Sequence, residues 1–183
     1  MVRDSWWRLG RAVTTLMVAG GLLAGCVIGP PGADCDPDGS DPVGWSDATG
    51  RPTRVAIDHD AFEAKQVGHL PDGRQFFLTT PFEPGENLYV AQYLFDARGQ
   101  FLSAEIDKFG IDDTAAAKAG LRRRAHSLGQ VRHDRIEVEP FAIHQDGQTF
   151  GLIPAHDQTW WVTAEPGDYM AWSSPFSCGR YDT

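Results

Sequence analysis

The segment LYVAQYLF, Leu88–Phe95, decides the fold. It is apolar at both sets of alternating positions, which is typical of a strand buried on both faces. Asp96-Ala97-Arg98-Gly99 follows, and a short loop with a late glycine favours a hairpin. The next segment, Phe101–Asp107, alternates between apolar and polar residues, as a half-exposed strand does. These residues predict a central strand with an antiparallel neighbour.

Three more turn signals continue this pattern: Asp72-Gly73, Asp146-Gly147 and Pro166-Gly167. Such dipeptides favour tight turns between antiparallel strands, because glycine tolerates positive φ. About seven strands are predicted in all: Gln75–Thr80, Leu88–Phe95, Phe101–Asp107, Ile136–Ile143, Phe150–Ile153, Thr159–Ala164 and Tyr169–Trp172.

One helix is predicted near residues 113–128. Its apolar stripe has spacings of four, four and three, and Asp112 or Asp113 is suited to cap its first turn. Arg122–Arg124 lie in the last turns, where the helix dipole favours positive charge, and Gly129 ends the helix. Alternatively, the three arginines could form a patch that binds an anion. The fold class is therefore α+β, an antiparallel sheet of about seven strands with one main helix packed on it. The stripe is Ala117, Leu121, Ala125 and Leu128.

Residues 1–25 have the pattern of a signal peptide: a basic start, then an apolar stretch of about 14 residues, too short to span a bilayer. The stretch ends in Leu23-Ala24-Gly25-Cys26, which resembles the lipobox of bacterial lipoproteins. The resemblance implies that Cys26 is acylated and that the protein is exported and lipid-anchored at the cell envelope. The alternative is an ordinary secretory leader followed by a chance cysteine.

Residues 26–54 are rich in proline, glycine and aspartate, which predicts a tether, with Trp45 as a residue able to dock on the domain. Asp34–Asp41 resembles the start of a calcium loop. The twelfth position of that loop is Trp45, where a glutamate is needed, so a solvated acidic linker is favoured. Residues 55–183 are predicted to form a single globular domain.

The chain has three cysteines, and this number predicts one disulfide. If Cys26 carries lipid, Cys35 and Cys178 remain, and an oxidising compartment allows them to pair. Two thiols without a neighbouring partner are too few for a metal site, and no cofactor or metal is predicted.

The charge argues against nucleic acid as a partner. The chain has 16 basic and 25 acidic residues, a net charge of −9. Removal of residues 1–25, which carry three arginines and one aspartate, lowers the net charge to −11. A nucleic-acid-binding domain needs a basic face instead. The predicted partners are the membrane, through the lipid, and an envelope protein or glycan.

Two groups of residues are candidates for a site. Asp58-His59-Asp60 places two carboxylates beside one imidazole, as acid–base catalysis can use, although loop ends often carry such residues. His133-Asp134 and His156-Asp157 are weaker pairs of the same kind. The second group is a set of aromatic residues that could stack on a sugar or anchor a protein, or else form core. This set is Trp160, Trp161, Tyr169 and Trp172.

The body also resembles an uncharacterised bacterial domain family, over about residues 58–183. The resemblance rests on Asp72–Phe82, Tyr93–Asp96, Pro166–Ala171 and Gly179–Thr183, and it implies a shared fold without catalytic residues. Three functions are considered: a non-catalytic binding domain of an envelope lipoprotein; an immunity or inhibitor protein held at the membrane against a toxin or hydrolase; and a hydrolase with a loop-assembled His/Asp site. A pocket that gathers histidine with an acid would favour the hydrolase.

Overall fold

The computed structural model describes residues 39–183, which contain eleven strands, one α-helix and two short 3₁₀ turns. The strands are β1 (Val55–Ile57), β2 (Val67–His69), β3 (Gln75–Leu78), β4 (Asn87–Phe95), β5 (Phe101–Gly110), β6 (Arg132–His133), β7 (Ile136–Val138), β8 (Phe141–Gln145), β9 (Gln148–His156), β10 (Trp160–Glu165) and β11 (Ala171–Ser173). The helix is α1 (Thr114–Ser127), and the 3₁₀ turns are Glu63–Gln66 and Phe176–Cys178.

The strands form three antiparallel sheets. A five-stranded sheet has the order β5-β4-β3-β2-β6, a four-stranded sheet has the order β11-β10-β9-β8, and β1 pairs with β7. The α+β class with one main helix is confirmed. The prediction of one sheet of about seven strands is wrong, because the strands divide among three sheets.

Strand β4 is central, as predicted, between β3 and β5. Its residues Tyr89, Ala91 and Tyr93 belong to the larger core, together with Phe150 and Val162 of the four-stranded sheet. Val90 belongs to a second, smaller core that faces α1. The five-stranded sheet is therefore the middle layer, with the helix on one face and the other sheet on the opposite face.

Helix α1 packs on this middle layer through the predicted stripe. Ala117 is buried, and Leu121, Ala125 and Leu128 pack against the smaller core. Asp113 is the residue before the helix, but its side chain makes no capping hydrogen bond. Among the three arginines, Arg124 donates two hydrogen bonds to Asp107 of β5, so it joins helix to sheet rather than forming part of an open patch.

All four predicted hairpins are present. Asp146 and Gly147 both have positive φ, 52° and 76°, as a type I′ turn requires. The predicted strand Ile136–Ile143 is in fact two strands, β7 and β8, which belong to different sheets. The break contains Pro140, which has no N–H to continue a ladder.

Part of the predicted tether packs on the domain. Trp45 docks on the domain, as predicted, and is buried in the larger core. Its carbonyl accepts the N–H of Thr53. The Asp41 carboxylate accepts the N–H of Ser177. The packed structure therefore reaches at least to Asp41, rather than beginning at residue 55.

Candidate functional site

The three side chains of the predicted polar site Asp58-His59-Asp60 have different partners. The Asp60 Oδ1 atom accepts the N–H groups of Phe62 and Ala64, at 2.8 and 3.0 Å. Its Oδ2 atom accepts the hydroxyl of Tyr181. Because its two oxygens already accept three hydrogen bonds, this carboxylate acts as the anchor of a loop.

Asp58 and His59 point to different partners. Asp58 pairs with Arg135 at 3.2 Å, and Arg135 also donates to the Ser177 carbonyl. His59 is exposed and stacks on His133, with ring centroids 5.4 Å apart. Asp58 and Asp60 both line a cavity of about 320 Å³ beside Tyr181, and His59 is not part of that lining.

A second carboxylate completes this region. Glu63 accepts the hydroxyls of Thr80 and Tyr169, and Tyr169 in turn accepts the N–H of Thr80 at 3.1 Å. Burial, together with the hydrogen bond to Glu63, raises the pKa of Tyr169 far above its ordinary value. Burial and the hydrogen bond to Asp60 raise the pKa of Tyr181 to about 12. We call Asp60, Glu63, Tyr169 and Tyr181 the tyrosine lock.

The aromatic set is divided between core and surface. Trp172 is buried in the larger core, and Tyr169 belongs to the tyrosine lock, so neither is available as a binding surface. Trp160 packs against the larger core and donates its ring N–H to the Thr49 carbonyl at 3.1 Å. Trp161 is partly exposed and belongs to neither hydrophobic core. It is therefore the outward member of the tryptophan pair.

Trp161 lies on the outer face of the four-stranded sheet with small neighbours. Its partners across the ladder are Ala155 on β9 and Ser173 on β11. Two residues along the strand, Thr163 donates its hydroxyl to Glu165 at 3.0 Å. Alternation along β10 places these three β10 side chains on the same face.

The carboxylate of Asp168 stands close to this face. A hydrogen bond with Glu165, and repulsion from its charge, raise the pKa of Asp168 above the ordinary value. The end of the sheet face thus carries two interacting carboxylates beyond the indole of Trp161.

A histidine that was not predicted forms the closest acid–base pair. His69 Nδ1 lies 2.7 Å from Asp134 Oδ1, and Arg132 lies 2.8 Å from the other oxygen of Asp134. The sequence pair His133-Asp134 is not the contacting pair, because His133 instead stacks on His59. The imidazole of His69 lines two cavities, of about 490 and 260 Å³.

The smaller cavity is rich in arginine, and we call it the arginine cavity. It lies where β7, the β2–β3 hairpin and the β4–β5 turn meet. Its polar lining consists of Arg54, His69, Gln75, Arg98, Arg135 and Glu137. The larger cavity is lined by apolar Leu70, Pro71 and Val131 beside Arg132. In the described lining of both cavities, no side chain carries a hydroxyl or thiol that could act as a nucleophile.

Two glycines permit this arrangement. A Cβ on Gly68 would lie 2.0 Å from the carbonyl oxygen of Arg132, so only glycine lets β6 pair with β2 and bring Asp134 to His69. A Cβ on Gly99 would lie 2.1 Å from the carbonyl oxygen of Glu137. This contact holds the β4–β5 turn, and with it Arg98, against β7.

The predictions for Cys26 and Cys35 fall outside the described residues. Cys178 lies in the second 3₁₀ turn and is partly buried, and its pairing with Cys35 stays a prediction. Within residues 39–183, no group of three or more histidine, cysteine, aspartate or glutamate side chains could hold a metal ion. Over the same residues, no helix has the length and apolar character needed to cross a bilayer.

The comparisons with known proteins give no match. No family model matches the chain, and no significant match was found among curated proteins or solved structures.

Sequence reasoning missed His69 and the arginines because they meet only through strand pairing. His69 stands opposite Gln75 in the β2–β3 ladder and opposite Arg132 in the β2–β6 ladder. One signal was available in the sequence. Gly68 precedes His69 in an otherwise apolar segment, and a glycine inside a strand often marks a close backbone approach.

Proposed function

We propose that this protein is a lipid-anchored protein of the bacterial cell envelope whose domain binds an envelope glycan without catalysis. The anchor rests on Leu23-Ala24-Gly25-Cys26. Fatty-acid labelling of the expressed protein tests it: the natural chain should take up label, and Cys26→Ser should not. Equal labelling of both chains would contradict the anchor.

The observation that carries the binding function is the placement of Trp161. Its indole lies on a sheet face between Ala155 and Ser173, both of which have small side chains. An aromatic ring has an apolar body that can pack against the C–H face of a sugar. The neighbouring Glu165, which is partly exposed, offers carboxylate oxygen atoms to sugar hydroxyls.

The same geometry favours a glycan over a protein partner. A protein hot spot is usually a cluster of large side chains in a desolvated pocket. The neighbours of Trp161 across the ladder are small, and the carboxylate of Glu165 lies along the same face, where it accepts the hydroxyl of the buried Thr163. A single ring with polar neighbours suits a ligand of alternating C–H and hydroxyl groups.

Co-sedimentation of the full chain with insoluble cell-wall glycan tests this function. Trp161→Ala should weaken binding about tenfold, as expected when an anchoring aromatic is removed. Leu102→Ala is the matched control, because Leu102 is another exposed apolar side chain, 51% exposed, on the separate strand β5. Failure of the natural chain to sediment with the glycan, or equal losses in both variants, would overturn the proposal.

A further inference from the structure

The arginine cavity concentrates positive charge in an acidic protein. Three guanidinium groups, those of Arg54, Arg98 and Arg135, line a space of about 260 Å³. The only carboxylate in the described lining is that of Glu137. Three clustered arginines are unexpected in a chain with net charge −9, because its many carboxylates allow each arginine to pair separately.

The nearby carboxylates do not saturate these groups. Glu137 lies 3.7 Å from Arg54 and 3.6 Å from Arg135, which is longer than a good charged hydrogen bond, and its side chain is 41% exposed. Asp58 binds Arg135 at 3.2 Å. Arg98 is exposed and has no ion pair among the described residues. The three guanidinium groups therefore have two carboxylate partners, Asp58 and Glu137, and Glu137 is shared between Arg54 and Arg135.

His69 adds a polar atom to the same space. Its Nδ1–H donates to the Asp134 carboxylate, which fixes the ring, and Nε2 of the neutral imidazole is then an acceptor, so the ring borders the cavity without donating to an anion. Asp134 also pairs with Arg132, so its negative charge is partly balanced by that guanidinium group. Gln75 is committed elsewhere, since its Oε1 accepts the N–H of Glu137 at 2.7 Å.

We propose that the arginine cavity binds a small oxyanion, a phosphate or a carboxylate group, between Arg98 and Arg54. Guanidinium groups are well matched to such groups, because their planar N–H donors can bind two oxygens at once. The Glu139 N–H donates to the Gly99 carbonyl at 2.8 Å and Arg54 donates to the Arg98 carbonyl at 3.1 Å, so the backbone that carries Arg98 is fixed before the ligand arrives. This site is separate from the Trp161 face and does not depend on the glycan proposal.

Thermal unfolding of the full chain in detergent, followed by circular dichroism, tests the site. Inorganic phosphate and acetate are the two probes, and chloride at equal ionic strength is the reference. At ten times its dissociation constant, a bound anion should raise the Tm by about 4 °C. A rise with phosphate alone identifies a phosphoryl ligand, and a rise with acetate alone identifies a carboxylate ligand.

Two arginine substitutions decide whether the effect comes from this cavity. Arg98→Gln should weaken anion binding about tenfold, whereas Arg122→Gln, at an exposed arginine of α1, should leave it unchanged. Because both side chains are exposed, neither change should prevent folding. The proposal is overturned if neither anion acts beyond chloride, or if both variants respond alike.

Discussion

The tyrosine lock and the cluster around His69 both contain carboxylates near the five-stranded sheet, but they use them differently. In the lock, Asp60 accepts two backbone N–H groups and a hydroxyl, so its oxygens are occupied. Around His69, Asp134 and Glu137 pair with charged side chains at the rims of open cavities. A carboxylate bound to backbone holds a loop, whereas one paired with side chains at a cavity rim leaves part of their donor groups available to a solute.

The largest effect is expected from breaking the backbone contact that supports the arginine cavity. Gly99→Ala forces a Cβ against the Glu137 carbonyl at a positive φ of 85°. Gly85 has a similar φ of 78° with nothing within 4 Å, so Gly85→Ala is a matched control. We expect a loss of about 1 kcal/mol for the control from backbone strain alone, and about 2 kcal/mol more for Gly99→Ala.

Urea unfolding of both glycine variants measures this difference. The Gly99 variant should also lose any anion binding, since the turn that carries Arg98 must move away from β7. Equal stabilities of the two variants would show that the turn can move without cost, and that the contact does not order the cavity.

The next effect separates the two carboxylate regions directly. Asp60→Ala removes three hydrogen bonds to a carboxylate and should lower the free energy of unfolding by about 2 kcal/mol. Asp134→Ala removes ion pairs whose side chains are 26% exposed or more, and should lower it by less than about 1 kcal/mol.

The comparison between the two aspartate variants is made by urea unfolding at neutral pH. If Asp134→Ala costs as much as Asp60→Ala, the cluster around His69 is a structural element and not an open site. That outcome would remove the distinction between the two regions.

The smallest effect is the alkaline titration of the lock. The pKa of Tyr181 is about 12 in the folded protein and about 10 in an unfolded chain. Below pH 10 both states are protonated, and the stabilisation is fully present. Between pH 10 and 12 the unfolded state ionises first, so the free energy of unfolding should fall as pH rises, by less than about 1 kcal/mol because the side chain is partly exposed.

Tyr181→Phe tests this pH dependence. The variant should be less stable than the natural chain at neutral pH, and its stability should fall less steeply between pH 10 and 12. Urea midpoints at three values of pH across this window give the slope. An unchanged slope would mean that the hydroxyl does not titrate with the folding equilibrium.

Local sequence patterns were sufficient for most of the longer elements but not for the short strands or the sites. The hairpin turns, the central strand β4 and the stripe of α1 could be predicted, because each depends on neighbouring residues or on a short period. The short strands β1, β2 and β6 have two or three residues each, too few for a period to be visible. Their pairings bring His69, Asp134 and Glu137 together, so the candidate site could not be predicted without them.

Sequence adjacency was also misleading in one case. Asp58, His59 and Asp60 are consecutive, yet their side chains bind Arg135, His133 and Tyr181 respectively. The inward or outward direction of Trp160 and Trp161 likewise depended on which side of β10 faces the core, and this is decided by the strands on either side of it.

The contacts between distant parts of the chain bear on how the protein is made. Asp60 bonds to Tyr181, which is 121 positions later, and Asp58 bonds through its backbone N–H to Gly179. The contacts of the segment that follows β1 therefore cannot form until residues near position 180 have been synthesised. A nascent chain emerging from the ribosome or from a translocation channel would remain open until almost all of the domain had been delivered. Such a chain should fold late and slowly, and a holding chaperone would have a long interval in which to keep it competent for passage.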